Sequence, residues 1–215
     1  MIKGLIFDLD GVIVSTDDLH YMAWKKIALE EGIPFDKSIN HKLRGVSRMA
    51  SLEIILSKAE KTYEAAEKVK LATIKNDYYV ALLEQLSQND ILPQVVPTLT
   101  KLRKLGYKLA IGSSSRNAKK ILTKLGITDL FDVIVDGNDI INSKPDPEVF
   151  LKAAERLGLD PIECVVIEDA ESGIEASIQS RMIAFGIGEA SRYNKTHFPI
   201  KNIAEILNVI HHQNT

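Results

Sequence analysis

A single cysteine, Cys164, is all the thiol chemistry the chain holds, which excludes an internal disulfide framework. It lies in the apolar run Cys164-Val165-Val166-Ile167 and reads as a buried structural thiol rather than a catalytic one. An excess of one charge is also missing. The net charge is −2 and no basic run occurs, so nothing calls for a nucleic-acid partner. The longest apolar runs are far too short to span a bilayer. The opening Met-Ile-Lys-Gly enters an apolar segment directly, leaving no room for a signal peptide, and a cytoplasmic protein is the expectation. There is no internal repeat and no low-complexity linker. What is present suffices for one sizeable core and a small insertion: 215 residues, 45% apolar and 26% charged, the profile of a soluble globular chain.

Residues 4–12 read Gly-Leu-Ile-Phe-Asp-Leu-Asp-Gly-Val. The run Leu5-Ile6-Phe7 has the length and branching of a buried strand, and Gly11 supplies a turn after it. Asp8 and Asp10 are two residues apart, so both project from the end of one strand. Two close carboxylates repel, and burying them unpaired is costly. A hard divalent cation such as Mg2+ would compensate, because it prefers oxygen ligands. A carboxylate can also attack phosphorus and carry an aspartyl-phosphate. Taken alone, Asp-x-Asp reads equally as a strand running into an acidic turn.

Residues 14–88 show only helical patterning. Thr16 with Asp17-Asp18 predicts a helix N-terminus, and Leu19, Ala23, Ile27 and Ala28 recur at helical spacing until Gly32. Ser47 predicts the cap of a second helix through Leu52, Ile55 and Leu56, and a third runs from about Glu64 to Leu86. From Asp90 on, helices near 98–105, 117–125, 148–157, 173–180 and 203–211 interleave with strands near 107–111, 132–135, 164–167 and 182–185. This alternation implies right-handed crossovers and a parallel, doubly wound sheet. The expectation is an α/β core, 1–13 and 89–215, with a small α-helical module, 14–88, inserted after the first strand.

Four polar clusters follow strands of that sheet: Asp8 and Asp10; Ser113-Ser114-Ser115-Arg116-Asn117; Lys144-Pro145-Asp146-Pro147; and Glu168-Asp169. In a parallel sheet the C-terminal strand ends share one edge, where open α/β folds bind ligands. The four carboxylates supply hard oxygens for Mg2+. Ser113 offers a hydroxyl beside the backbone N–H groups that open a helix, which suits phosphate. Lys144 adds a positive charge that would offset an anionic transition state. Each piece also has a plain reading: Ser113 to Asn117 as a helix cap, Lys144 as a solvated lysine, Glu168-Asp169 as an acidic turn before a helix.

In this order and strand context the motifs resemble the four signatures of the haloacid dehalogenase-like superfamily of phosphotransferases, across the whole core. The resemblance implies a Rossmann-like core with a mobile cap of four to five helices. It implies Asp8 as nucleophile, Asp10 as general acid/base, and Ser113 and Lys144 on the transferring phosphoryl group. Asp8, the backbone carbonyl of Asp10 and Asp169 would hold Mg2+, with Glu168 a direct or near ligand.

The inserted module adds further polar residues. His20 sits early on its first helix, before Trp24, and Lys75 precedes Asn76-Asp77. Arg44-Gly45-Val46-Ser47-Arg48 sets two cations around a tight turn, readable as surface charge or as a clamp for a second phosphate, since arginine presents a planar fork of donors. Together these resemble the β-phosphoglucomutase branch of the superfamily. There, Gly45, Val46, Ser47 and Arg48 would grip the non-transferring phosphate, with Arg44, His20, Lys75, Ser115, Arg116 and Asn117 completing the substrate site. Two departures stand out: Ser15 where many relatives carry Asp, and Arg44 where Lys is common. The resemblance implies Mg2+-dependent interconversion of β-glucose 1-phosphate and β-glucose 6-phosphate through glucose 1,6-bisphosphate. The expected partners are these sugar phosphates, with no nucleic acid and no membrane, and the chain is expected as a monomer. The rival of the same fold is a phosphatase of small sugar phosphates, which needs no second clamp at 45–48. An inert binding protein is a further class, against which the intact set Asp8, Asp10, Ser113, Lys144 and Asp169 argues.

Overall fold

The structure, a computed structural model, describes residues 1–44 and 46–214, with side chains as far as Ile210. Strands β1 (Gly4–Phe7), β2 (Lys108–Gly112), β3 (Val133–Val135), β4 (Cys164–Glu168), β5 (Ile183–Gly186) and β6 (Phe198–Pro199) form one parallel sheet in the order β3-β2-β1-β4-β5-β6. The central strands β1 and β4 are buried along their whole length, which is why they read as continuous apolar runs rather than alternating ones.

Between β1 and β2 the chain makes five helices: α1 (Asp17–Glu30), α2 (Lys37–His41), α3 (Arg48–Leu56), α4 (Ala65–Leu83) and α5 (Val95–Lys104). The crossovers that follow carry α6 (Ala118–Leu125), α7 (Glu148–Leu157) and α8 (Glu171–Gln179), and α9 (Ile206–Asn214) closes the chain. The two-residue alternation of a strand sends Leu5 and Phe7 to one face of the sheet and Ile6 to the other. The first face is covered by α5, α6 and α9, through residues such as Leu99, Leu122 and Ile206. The second is covered by α7, whose Val149, Phe150, Ala153, Ala154 and Leu157 form one apolar stripe.

Helices α1, α3 and α4 build a second core around Trp24, Ile27, Leu52, Ile55 and Leu71. They join the sheet through a narrow neck. Val14 pairs with Ile91 in an antiparallel bridge, and the Leu92 N–H donates to the Ile13 carbonyl at 2.9 Å. Tyr79, Leu82 and Leu83 of α4 reach past the neck into the core of the sheet.

Predicted and observed elements differ mainly at their ends. Two were not anticipated. Helix α2 is a single turn, capped by Asp36, whose carboxylate accepts the Ile39 N–H at 2.9 Å; five residues with one buried apolar side chain leave no periodicity to read. Strand β6 is two residues at the sheet edge, where a proline is tolerated. Among the described residues no helix is long and apolar enough to cross a membrane.

Leu52 is fully buried in the second core. Leu52→Ala should therefore cost about 2–5 kcal/mol in a urea titration. A loss under about 1 kcal/mol would mean that this core is loosely packed.

Candidate active site

Strand β1 is the switch point of the sheet: the chain goes from it to β2 and β3 on one side, then crosses to β4 and β5 on the other. Ligands of such sheets bind outside the carboxyl ends at that point. The Asp8 N–H donates to the Ile167 carbonyl at 2.9 Å, extending the ladder by one bond and setting Asp8 on the rim. Glu168 ends β4 beside it, and Ser113 follows β2 with its N–H on the Val135 carbonyl at 3.1 Å. Gly11 then turns with φ +84°, and a Cβ there would stand 2.0 Å from Asp169 Oδ2, so only glycine lets this loop pass the carboxylate.

Asp8, Glu168 and Asp169 present carboxylate oxygens all within 4.8 Å of one another. Lys144, in a loop that continues through a cis peptide bond to Pro145, inserts its ammonium between two of them. Its Nζ lies 2.5 Å from Asp8 Oδ1 and 2.5 Å from Glu168 Oε1, in a buried setting. The other Glu168 oxygen accepts the N–H groups of Asp169 and Ala170 at 2.9 and 3.0 Å. One ammonium cannot neutralise three carboxylates, and the acidities register the surplus. Burial first, then the neighbouring carboxylates, pushes Asp169 up to about 9. Burial also raises Glu168, in spite of Lys144. Burial disfavours the charge on Lys144, but Asp8 and Glu168 outweigh it and raise its pKa. Surplus negative charge on clustered hard oxygens fits a divalent cation, and these three residues are the ones that would hold it.

The side chain of Asp10 stands apart from that group. Its two oxygens accept the N–H and the hydroxyl of Thr16, each at 2.7 Å. Thr16 stands at the N-cap of α1 as expected, but its hydroxyl makes no capping bond there and donates to Asp10 instead. From Thr16 a polar chain runs into the helical insertion. The Tyr79 hydroxyl donates to Thr16 Oγ1 at 3.1 Å, and His20 stacks on the Tyr79 ring with centroids 4.2 Å apart. Lys75 Nζ lies 2.8 Å from His20 Nδ1 and over the rings of Trp24 and Tyr79, 4.8 and 4.6 Å from their centroids. Burial raises Asp10 against the two bonds from Thr16 that favour its charged form. Burial, with Lys75 and Arg48 adding, holds His20 well below its ordinary value; as a neutral ring it accepts from Lys75 through Nδ1. Burial and the charge of Arg48 bring Lys75 down to about 7.

A second cationic locus lies where the insertion meets the loop after β2. Burial, then the charge of Arg116, lowers half-buried Arg48, so a guanidinium from the insertion and one from the sheet side repel each other. Beside them Asn117 Nδ2 donates to Asn76 Oδ1 at 3.0 Å, bridging the two parts of the chain. The loop itself is pinned by its own hydroxyls: Ser113 Oγ accepts the Ser115 N–H and Ser115 Oγ the Asn117 N–H, both at 3.2 Å. Ser47 does cap α3, accepting the Ala50 N–H at 3.3 Å, and the Val46 N–H closes a turn onto the Leu43 carbonyl at 3.2 Å. Gly45 lies outside the described residues. Arg44 is bound by Asp17 and stands 3.5 Å from Glu189, whose carboxylate also lies 3.0 Å from His41 Nε2. Asp17, Arg44 and Glu189, with Gly11, Ser15 and Asp169, line a cavity of about 510 Å3, a size usual for small-molecule sites.

Thr16, Tyr79, Asn76 and Glu189 were not among the expected site residues. Tyr79 was within reach of the sequence, standing one helical turn after Lys75 and hence on the same face. Glu189, in a polar loop after β5, carries no such signal.

Comparison with known proteins agrees with this geometry. The family model for haloacid dehalogenase-like hydrolases matches residues 2–180. Beta-phosphoglucomutase of Bacillus subtilis (strain 168) is 46% identical over 189 residues, 87% of this chain and 84% of that protein. A phosphorylated carbohydrates phosphatase of Thermotoga maritima is 32% identical over 177 residues, 81% of this chain and 80% of that protein. The crystal structure of beta-phosphoglucomutase from Clostridium difficile superposes with a TM-score of 0.93 at 39% identity, covering 99% of this chain and 97% of that one.

Lys75 yields a test of the buried chain. With a pKa of about 7 when folded against 10.5 as the ordinary value, it binds fewer protons in the folded state between those limits. Stability should therefore rise with pH across that window, the penalty being complete below it. Lys75→Met removes the penalty, so its stability relative to the native chain should be greatest near neutral pH and decline toward the ordinary lysine value. Denaturant midpoints measured along a pH series check this; a difference that stays flat would place Lys75 in water.

Proposed function

The chain belongs to the haloacid dehalogenase-like hydrolase family, and on that footing we propose that it interconverts β-glucose 1-phosphate and β-glucose 6-phosphate. Asp8 carries the phosphoryl group as an aspartyl-phosphate, and glucose 1,6-bisphosphate is the intermediate. The observation that carries this reading is the pair of cationic stations. One is Lys144 with Ser113 at Asp8; the other is Arg48 facing Arg116 beside the Asn76–Asn117 bridge. A hydrolase of monophosphates needs one phosphate site, whereas an intermediate with two phosphates occupies both.

Asp8 is the nucleophile, and Ser113 and Lys144 hold the phosphoryl oxygens through charge-assisted hydrogen bonds. Mg2+ is the cation proposed for Asp8, Glu168, Asp169 and the backbone carbonyl of Asp10, and when bound it offsets charge on the phosphoryl oxygens. Asp10 takes the proton of the sugar hydroxyl that attacks the aspartyl-phosphate. In the second half-reaction it returns a proton to the sugar oxygen that loses its phosphoryl group to Asp8. Burial raises its pKa, which favours holding the proton between the two half-reactions. Residues 14–88 act as a cap on the core of 1–13 and 89–215, hinged at the neck where Val14 meets Ile91. Because Thr16 stands just inside that hinge and holds Asp10, closing the cap and aiming the acid/base are one event. His20 and Lys75 face the sugar ring, and Arg48, Ser115, Arg116 and Asn117, with the turn Gly45 to Ser47, hold the non-transferring phosphate. Arg44, tied to Asp17 and Glu189, closes the mouth. Water is thereby excluded, and the sugar hydroxyl takes the phosphoryl group.

A coupled assay tests the proposal. Catalytic glucose 1,6-bisphosphate should prime the enzyme, and glucose 6-phosphate should then form from β-glucose 1-phosphate much faster than inorganic phosphate appears. If phosphate release keeps pace with substrate loss and the bisphosphate has no effect, the enzyme is a sugar-phosphate phosphatase, the activity of its Thermotoga maritima relative. Thr16→Val keeps the shape and the N–H bond to Asp10 but removes the hydroxyl that links Asp10 to Tyr79. It should lower kcat on the order of tenfold or more with KM nearly unchanged, as expected for a misaimed general acid/base. A native kcat would detach the neck from the chemistry.

A further inference from the structure

We infer that the turn Asp136–Asp139, which follows β3, shapes the loop Ser113–Asn117 into an anion cradle, with Gly137 and Asn138 as its positioning residues. A cradle made of backbone needs N–H groups facing inward and carbonyls held away from the anion. Two carbonyls of this loop are held from behind. The Gly137 N–H donates to the Ser115 carbonyl at 3.1 Å, and Asn138 Nδ2 donates to the Arg116 carbonyl at 2.9 Å. The turn that makes these donations is itself built to be rigid. Asp136 is 1% exposed, and its Oδ1 accepts both the N–H and the side-chain amide of Asn138, at 2.8 and 3.1 Å. The Asp136 N–H donates to Asp139 Oδ2 at 2.9 Å, and Asp139 is fastened to α7 by Arg156 Nη2 at 2.8 Å and by Lys152 Nζ on its carbonyl at 2.7 Å. The approach is close: a Cβ on Gly137 would lie 2.3 Å from the Ser114 carbonyl oxygen and 3.0 Å from the Arg116 nitrogen. Asn138 touches no reacting atom. It acts through Arg116, whose side chain is one half of the second cationic station.

The inference rests on the reading that this loop receives a phosphate or phosphoryl group, and the test separates the two. Mg2+-loaded enzyme is titrated with inorganic phosphate, and KM and kcat for β-glucose 1-phosphate are measured alongside melting temperature. Asn138→Leu keeps the bulk but offers no donor to the Arg116 carbonyl and sets no second carboxylate beside Asp136, and Asn138→Ala removes the side chain. Each should weaken phosphate binding, and raise KM, roughly three- to tenfold, the range for one lost hydrogen bond. Neither should move kcat by more than about twofold or shift the melting temperature appreciably. Gly137→Ala should act in the same direction and more strongly; if it fails to fold, the two Asn138 variants still decide. Unchanged phosphate affinity in both Asn138 variants overturns the inference. So does weaker binding seen only together with a lowered melting temperature, which would make the turn a structural prop. Failure of the mutase reading would instead appear in the native enzyme, as phosphate release without isomerisation, and would leave the phosphate titration interpretable.

Discussion

One ammonium shared by two carboxylates organises the catalytic end of this protein. Lys144 reaches Asp8 at the end of β1 and Glu168 at the end of β4, from a loop that is distant in sequence from Asp8. Deleting one member of such a buried set strands the charge of the others, so the three residues hold one another in place. Asp169 stands just outside the shared bond, and its raised pKa marks where negative charge is left over. Because Lys144 is an internal counter-ion for part of that charge, the fold does not depend on metal uptake in the way that a small metal-nucleated domain does.

The Asp10–Thr16–Tyr79–His20–Lys75 chain extends the same theme into the cap. A buried polar network is stabilising only when its members satisfy one another, and here the Thr16 and Tyr79 hydroxyls and His20 Nδ1 each meet a neighbour. The chain crosses the neck between the two cores. The environment of Asp10 is thus set in part by the insertion, through Thr16 and Tyr79.

Much of the architecture was legible in the sequence, for reasons visible in particular residues. Leu5-Ile6-Phe7 and Cys164 to Ile167 are buried on both faces, so their apolar runs are uninterrupted and the carboxylates that end them fall on the sheet rim by necessity. The helix Glu148–Leu157 was bounded by Pro147 and Gly158, and its observed limits coincide with the expected ones. The misses share a cause: they depend on partners that only the folded chain brings near. Thr16 followed a tertiary partner, Asp10, rather than its local capping preference. The partners of Arg44, Asp17 and Glu189, are likewise distant in sequence. The Asp136-Gly137-Asn138 stretch reads as an ordinary turn until β3 is seen lying beside β2.

Two kinds of polar bond, besides the neck and the apolar packing, tie the inserted helices to the core. The Asn76–Asn117 bridge is an amide pair without net charge, while the contacts of Glu189 with Arg44 and of Glu84 with Lys120 and Lys124 are ionic and partly exposed. Dissolved salt screens the second and leaves the first nearly untouched. Rising ionic strength should therefore loosen the insertion at both ionic contacts, and leave the Asn76–Asn117 pair and the apolar packing of Tyr79, Leu82 and Leu83 to hold it against the core.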